Sequence, residues 1–176
     1  MMDSELQSLY QRTVLEHCRS PRNFRALDCP DHVARGFNPL CGDKVTVYLR
    51  EGSAEGLLLC GKAGRAAAPA RQAETDATAA LVAEISFEAA GCAICLASAS
   101  MMTELLKGAA QSEARQRAEQ VLAAFRPEAE NSLDGLGDIA ALGSVRAYPS
   151  RIRCVTLPWR TFTAALDGDT GAVSTE

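Results

Sequence analysis

Residues 38–49 read NPLCGDKVTVYL and join a cysteine-bearing turn to a strand. From Lys44 to Leu49 apolar and polar residues alternate, which is typical of a strand with one buried face. Ahead of that strand, Cys41 and Asp43 stand two residues apart, so extended geometry puts both side chains on one face. Gly42 between them permits an unusual backbone angle or a close approach. The stretch therefore predicts a strand that begins at a pair of candidate metal ligands.

A second strand is predicted at Leu81–Phe87, where the same alternation returns. The natural pairing of the two strands is a hairpin. Between them, Gly61–Thr75 is rich in Ala, Gly and charged residues and offers almost nothing large to bury. We therefore expect a flexible insertion at about 52–80 in the hairpin loop, with a possible short extra strand at Leu57–Cys60.

The rest of the chain predicts about five helices. Two of them should begin at cysteines, Cys92 and Cys154, because Pro158 is tolerated only in the opening turn of a helix. A helix amino terminus favours a thiolate through its dipole and unpaired amides. The predicted helices are about Ser4–Cys18, Cys92 to just before Gly108, Ser112–Phe125, Leu136–Leu142 and Cys154–Leu166.

Three separated cysteines, Cys41, Cys92 and Cys154, join Asp43 as four anionic candidate ligands. Three sulfurs and one oxygen suit tetrahedral Zn²⁺, which accepts thiolate readily and a carboxylate as its weakest partner. An iron–sulfur cluster would accept a similar set. The residues alone leave both cofactors open.

Composition narrows the class of protein. The chain has 176 residues, 47% of them apolar, which predicts one domain over 1–176 with a single core. A net charge of −4 without clustered Lys and Arg argues against nucleic acid as a partner. No apolar run approaches a membrane span, and the acidic, polar start does not resemble a signal peptide. Seven cysteines, an odd number, fit a reducing compartment better than a disulfide framework, so we expect a cytoplasmic protein.

Rival interpretations of the cysteines are weaker. Cys92 and Cys95 form a C-x-x-C pair that could act in thiol–disulfide exchange, but the flanking pattern of a thioredoxin-like protein is absent. A zinc deaminase would require a His-x-Glu motif, and neither His17 nor His32 has a Glu two residues later. His17 near a helix end is better explained by capping or dipole compensation than by metal binding.

The order of these motifs resembles the iron–sulfur cluster scaffold superfamily, and within it the SufU type. The likeness spans the chain except for the insertion. An arginine, Arg153, stands before the third cysteine where the IscU type typically has histidine, and an extra segment at about Asn131–Tyr148 precedes that cysteine. The motifs are Leu9-Tyr10, His17, Ser20-Pro21-Arg22-Asn23, Asn38–Asp43, Gly91–Ile94, Ala97–Met102 and Arg151–Cys154.

The resemblance implies an α+β fold, with a small antiparallel sheet of about three strands packed with about five helices. It implies Zn²⁺ held by Cys41, Asp43, Cys92 and Cys154, with an Fe–S cluster or iron as the alternative. It also implies that Cys41 accepts persulfide sulfur from a pyridoxal-phosphate cysteine desulfurase, whose histidine displaces Cys41 from zinc. Arg151 matches a basic family position that steadies the anionic site.

Two functions follow from the resemblance. The chain is either a zinc-bound sulfur acceptor that stimulates a desulfurase, or a scaffold on which an Fe–S cluster is built and transferred. The first is sulfurtransferase-like but depends on the desulfurase, so it is not an independent enzyme. Downstream partners would be a separate Fe–S scaffold or apoproteins. The absence of a histidine beside Cys154 favours the sulfur acceptor.

Overall fold

The computed structural model describes residues 2–52, 80–126, 133–169 and 171–175, and the side chains from residue 11 onward. The predicted insertion and the extra strand at Leu57–Cys60 lie outside the described residues. That residues 1–176 form one domain stays a prediction.

Five helices and four strands make up the described chain. One of the five helices, Gly137–Ala147, is a 3-10 helix. The other elements are α1 Met2–Arg19, β1 His32–Asn38, β2 Asp43–Gly52, β3 Leu81–Ala90, α2 Ala93–Leu106, α3 Gln111–Ala124, α4 Pro149–Leu166 and β4 Ala172–Ser174.

The strands form one sheet in the order β3-β2-β1-β4. The predicted hairpin is present, since β2 and β3 pair antiparallel with Val47 opposite Phe87. β1 is antiparallel to β2, whereas β4 runs parallel to β1. The predicted α+β fold is therefore confirmed, with four strands instead of about three. The sequence prediction missed β1 and the three-residue β4.

β1 was hard to predict because Gly36 interrupts its pattern. A Cβ at Gly36 would clash with Thr161 Oγ1, so α4 packs directly against the backbone of this strand. Glycine has low strand propensity, and it often marks such a close approach. Gly36 thus weakens the strand pattern in the sequence and also lets α4 pack closely on the sheet.

Helices α2 and α4 pack against each other and on the sheet. On the sheet side, Val45 and Val47 of β2 are buried. Between the helices, Trp159 Nε1 donates to Ser98 Oγ at 3.0 Å, and that hydroxyl donates to the Val155 carbonyl at 2.7 Å. Burying a side chain as large as Trp159 contributes at least about 1.5–3 kcal/mol. These contacts fix α2 relative to α4, and each helix carries one of the candidate ligands.

Helix α4 begins earlier than the sequence predicted. Pro149, not Pro158, occupies the opening turn, and Cys154 is the sixth residue of the helix instead of standing at its start. Pro158 lies inside the helix and has no amide hydrogen to donate to the Cys154 carbonyl one turn earlier. The helix tolerates this loss because Val155, Leu157, Trp159 and Phe162 are buried on the core side. Among the described residues, no helix is long and apolar enough to cross a membrane.

Candidate metal centre

The turn between β1 and β2 presents Cys41 beside Asp43. Asn38 ends β1 and pairs with Asp43, which begins β2, so the turn between them is tight. Gly42 donates its amide to the Asn38 carbonyl at 2.8 Å and has φ of +69°, which only glycine adopts freely. Cys41 is half-buried, whereas Asp43 is fully buried.

Asn38 connects two of the candidate ligands. Its buried Nδ2 lies 3.3 Å from Asp43 Oδ2 and 3.4 Å from Cys154 Sγ, and donates toward both. Its Oδ1 accepts from the Leu40 amide at 3.2 Å, which shapes the turn before Cys41. The sequence motif includes Asn38 but does not predict a role for it. An asparagine preceding a proline just ahead of the cysteine turn was the available signal.

Cys92 caps the amino end of α2, as predicted. Its amide donates to Asp43 Oδ1 at 2.7 Å, and its Sγ lies 3.8 Å from Asp43 Oδ2. Gly91 makes this approach possible, because a Cβ there would lie 2.5 Å from Asp43 Oδ1. The Asp43 carboxylate therefore accepts hydrogen bonds from the α2 terminus and from Asn38.

Cys154 closes the site from α4. Its Sγ is buried and lies 3.2 Å from Cys41 Sγ. Burial, followed by hydrogen bonds with Asp43 and Cys41, raises the pKa of the Cys154 thiol well above its usual range. The helix-terminus activation predicted for this cysteine is wrong, because the dipole acts mainly in the first turn and Cys154 lies beyond it. A cation between the sulfurs would reverse this effect on the pKa.

Arg151 reaches the site from the first turn of α4. Its exposed guanidinium lies 3.4 Å from Cys41 Sγ. A hydrogen bond with Cys154, followed by attraction to Cys41, raises the pKa of Arg151. Arg151 therefore brings a permanent positive charge to the rim of the sulfur cluster, where the sequence predicted it.

The donor atoms fit a small, thiophilic cation. The ligand atoms of Cys41, Asp43 and Cys154 lie within 4.8 Å of one another, with Cys92 Sγ close to Asp43. A fully buried carboxylate beside three thiols is costly without a compensating charge. Three sulfurs and one oxygen are a set that Zn²⁺ accepts, and thiolates also hold Fe–S clusters.

Cys95 and His17 lie outside this donor set. Cys95 is fully buried, and that burial raises the pKa of its thiol, which makes it a poor nucleophile for an exchange reaction with Cys92. His17 is also buried and bonds Ser100 Oγ at 2.8 Å and Asp138 Oδ2 at 3.0 Å. The Arg22 guanidinium lies 3.1 Å from His17 Nε2, so a positive charge already accompanies this cluster.

Known proteins share both the sequence and the fold. The family profile of the NifU-like N terminal domain matches residues 71–155. Zinc-dependent sulfurtransferase SufU of Bacillus subtilis (strain 168) is 30% identical over 159 residues, covering 90% of this chain and 89% of SufU. Iron-sulfur cluster assembly scaffold protein IscU of Streptococcus pyogenes serotype M1 is 28% identical, covering 93% of this chain and 86% of IscU.

Solved structures give the same relationship. A putative iron-sulfur cluster assembly scaffold protein for the SUF system, from Fervidobacterium islandicum AW-1, superposes with a TM-score of 0.65 at 25% identity, covering 88% of this chain and 93% of that one. The amino-terminal NifU-like protein of Brucella abortus shares the fold, with a TM-score of 0.66 at 21% identity, over 91% of this chain and 93% of that one.

A small sheet with helices packed on it, carrying three thiols and a carboxylate beside one hairpin turn, defines the iron–sulfur cluster assembly class. The predicted resemblance is thus confirmed at the level of the superfamily. Within that class, this chain belongs to the NifU N-terminal and IscU-like family, with SufU among its most similar relatives.

Proposed function

We propose that this protein is a zinc-bound sulfur acceptor that takes persulfide sulfur from a pyridoxal-phosphate cysteine desulfurase and stimulates it. One observation carries the proposal: the Arg151 guanidinium lies 3.4 Å from the sulfur of Cys41, which is one of two half-buried thiols in the donor cluster, the other being Cys92. Cys41 is half-buried on a tight turn with Arg151 beside it, whereas Asp43 and Cys154 are fully buried. The printed name of the SufU relative, a zinc-dependent sulfurtransferase, supports the same function.

The transfer is a thiol–disulfide type exchange. The Cys41 thiolate attacks the terminal sulfur of the desulfurase persulfide, and an S–S bond forms at Cys41 while the S–S bond of the desulfurase breaks. The desulfurase cysteine leaves as a thiolate, and Cys41 keeps the transferred sulfur as a persulfide. Arg151, 3.4 Å from Cys41 Sγ, stabilises the anionic sulfur before and after the exchange.

In this proposal Zn²⁺ is held by Cys41, Asp43, Cys92 and Cys154, and when bound it keeps the thiols deprotonated. Asn38 orients Asp43 and Cys154, and Gly91 leaves room for the carboxylate. The protein acts with the desulfurase in the reducing cytoplasm and passes sulfur to an Fe–S scaffold or to apoproteins. We assign it no role on nucleic acid or at a membrane.

Peptide mass spectrometry tests the proposal. The zinc protein is incubated with desulfurase and cysteine, and the peptide containing Cys41 should gain one sulfur atom. Cys41→Ala should abolish stimulation of the desulfurase. Cys95→Ser is the matched control and should keep both properties, because Cys95 is fully buried and lies outside the donor set. Added sulfur on Cys92 or Cys154, with Cys41 unmodified, would overturn the role of Cys41.

The second candidate function is that of a scaffold for Fe–S assembly. Its support is the three-cysteine donor set together with the IscU relatives, which are named as scaffold proteins. Colour and metal content distinguish the two functions in freshly purified protein. Zinc without visible absorbance supports the sulfur acceptor, and a brown chromophore with iron supports the scaffold.

A further inference from the structure

A groove beside the metal centre is lined by residues that the proposed chemistry does not use. It has a volume of about 610 Å³ and runs between the end of α3 and one face of α4. Leu122, Phe125 and Ile152 form its apolar part. The Arg146 guanidinium lies over the Phe125 ring, 5.6 Å from its centroid.

Three guanidinium groups line the same groove, from Arg126, Arg153 and Arg160. Within the described part of the chain, none of these side chains makes an ion pair or a hydrogen bond, although the protein has a net charge of −4. Arg153 and Arg160 are seven residues apart on α4, which places them about 10 Å apart along the helix. The positive charge is therefore extended along the groove.

Thr175 adds a polar group. Its side chain lines the groove, only 6% of the residue is exposed, and its Oγ1 has no hydrogen-bond partner among the described residues. A buried hydroxyl without a hydrogen-bond partner is unfavourable. Thr175 therefore adds an unsatisfied polar group at the wall of the groove, in addition to the arginines.

The groove and the sulfur site share α4. Pro149 and Ile152 line the groove, while Arg151 between them contacts Cys41, and Arg153 directly precedes Cys154. A protein that brings a persulfide to Cys41 has to approach this helix terminus. An occupant of the groove and a sulfur donor at Cys41 would therefore contact neighbouring surfaces of the protein.

We propose that the groove binds an acidic segment of the cysteine desulfurase, whose carboxylates pair with Arg126, Arg153 and Arg160 while an apolar side chain packs on Leu122 and Phe125. This inference rests on the proposed function, because there the desulfurase is the sulfur donor. Docking and chemistry are thus divided between two adjacent surfaces. The groove determines affinity and Cys41 determines turnover.

The test uses Arg126→Glu/Arg160→Glu, which reverses two charges that lie farther from the sulfurs than Arg153. Arg12→Glu/Arg19→Glu is the matched control, since both residues are exposed on α1, line no part of the groove, and change the net charge equally. Binding to the purified desulfurase from the source organism is measured by calorimetry, and stimulation is titrated separately. Zinc content and melting temperature verify that each variant is folded, with Arg160→Gln as a milder second variant.

We expect the groove variant to bind at least tenfold more weakly and to need correspondingly more protein for half-maximal stimulation, with the maximum retained. Its affinity should also depend less on salt than that of the parent. The control should match the parent. Unchanged affinity in the groove variant, an equal loss in the control, or no binding of the parent would each overturn the docking inference. A parent that binds without stimulating or accepting sulfur would instead overturn the proposed function.

Discussion

The most confined contact in the site is between Gly91 and the Asp43 carboxylate. Gly91→Ala would place a methyl group 2.5 Å from Asp43 Oδ1, and that distance is shorter than Cβ atoms tolerate. The carboxylate must rotate or α2 must shift, and either movement disturbs the 2.7 Å hydrogen bond from the Cys92 amide. We expect zinc content to fall well below that of the parent, measured by elemental analysis after gel filtration.

Gly143→Ala is the matched control for this substitution. A Cβ there would lie 3.4 Å from Leu133 Cδ1, which is an ordinary van der Waals contact, and Gly143 lies in the 3-10 helix, which holds none of the candidate ligands. It should retain the zinc content of the parent. A zinc content in the Gly91→Ala protein equal to that of the parent would show that zinc binding does not need Asp43 in the position that the structure gives it.

Asp43→Ala separates the two candidate functions. The buried carboxylate accepts from Cys92 and Asn38, so its removal leaves donors unsatisfied and destabilises the fold by about 1–3 kcal/mol. We expect weaker zinc binding and impaired stimulation of the desulfurase, with the protein still folded by circular dichroism. A stable coloured cluster in this variant after reconstitution with iron and sulfide, absent from the parent, would favour the scaffold.

Single residues show what sequence reasoning could reach. Cys41, Asp43, Cys92 and Cys154 could be nominated because ligand chemistry is a property of residue type and motif spacing, whereas Arg151 followed only from the family resemblance. The bridging role of Asn38 could not, because it depends on Cys154, 116 residues away in the chain. Nor could the burial of Cys95 be foreseen, since it depends on the packing of α2 and α4 against the sheet.

At the scale of elements, local patterns predicted the β2–β3 hairpin and most helix positions. Pro158 predicts a later start for α4 than the structure has, because Pro149 occupies the opening turn and tertiary packing holds the helix through Pro158. β4 could not be predicted, since three residues carry no periodicity. It forms by pairing with β1 from a distant part of the chain.

The hairpin leads to a prediction about the segment that joins its strands. Gly52 pairs with Leu81 at the open end of β2–β3, so the two chain ends are already neighbours. Replacing residues 53–80 with Asn-Gly leaves two residues between the Gly52–Leu81 pair and should close the hairpin with a turn whose twist suits antiparallel strands. We expect unchanged zinc content and a melting temperature equal to or above that of the parent, because a shorter loop loses less entropy. Loss of zinc would mean that the segment supports the site.

For the whole molecule, the candidate ligands link three parts of the fold: the β1–β2 turn, the start of α2, and α4. A metal that binds only the folded state stabilises it by about 4 kcal/mol at a thousandfold excess over Kd. In a chain of this size each kcal/mol raises the melting temperature by about 2–4 °C. Stripping zinc should therefore lower the melting temperature by roughly 8–16 °C, measured by calorimetry.

Cys154→Ala serves as the comparison for zinc removal. It lacks one candidate ligand, so a chelator should lower its melting temperature much less than that of the parent. A parent protein that melts at the same temperature with and without zinc would contradict a structural contribution of the ion.

The 3.2 Å contact between Cys41 and Cys154 also sets an order of events during synthesis. The two cysteines are separated by 113 positions, so Cys154 is added to the chain well after Cys41 during translation. At about 5–20 residues per second, that interval lasts roughly 6–23 s. Until then the emerging Cys41 turn lacks its partner on α4, so the full donor set exists only after Cys154 has been synthesised. A nascent chain that lacks Cys154 therefore cannot bind a metal ion with the complete donor set.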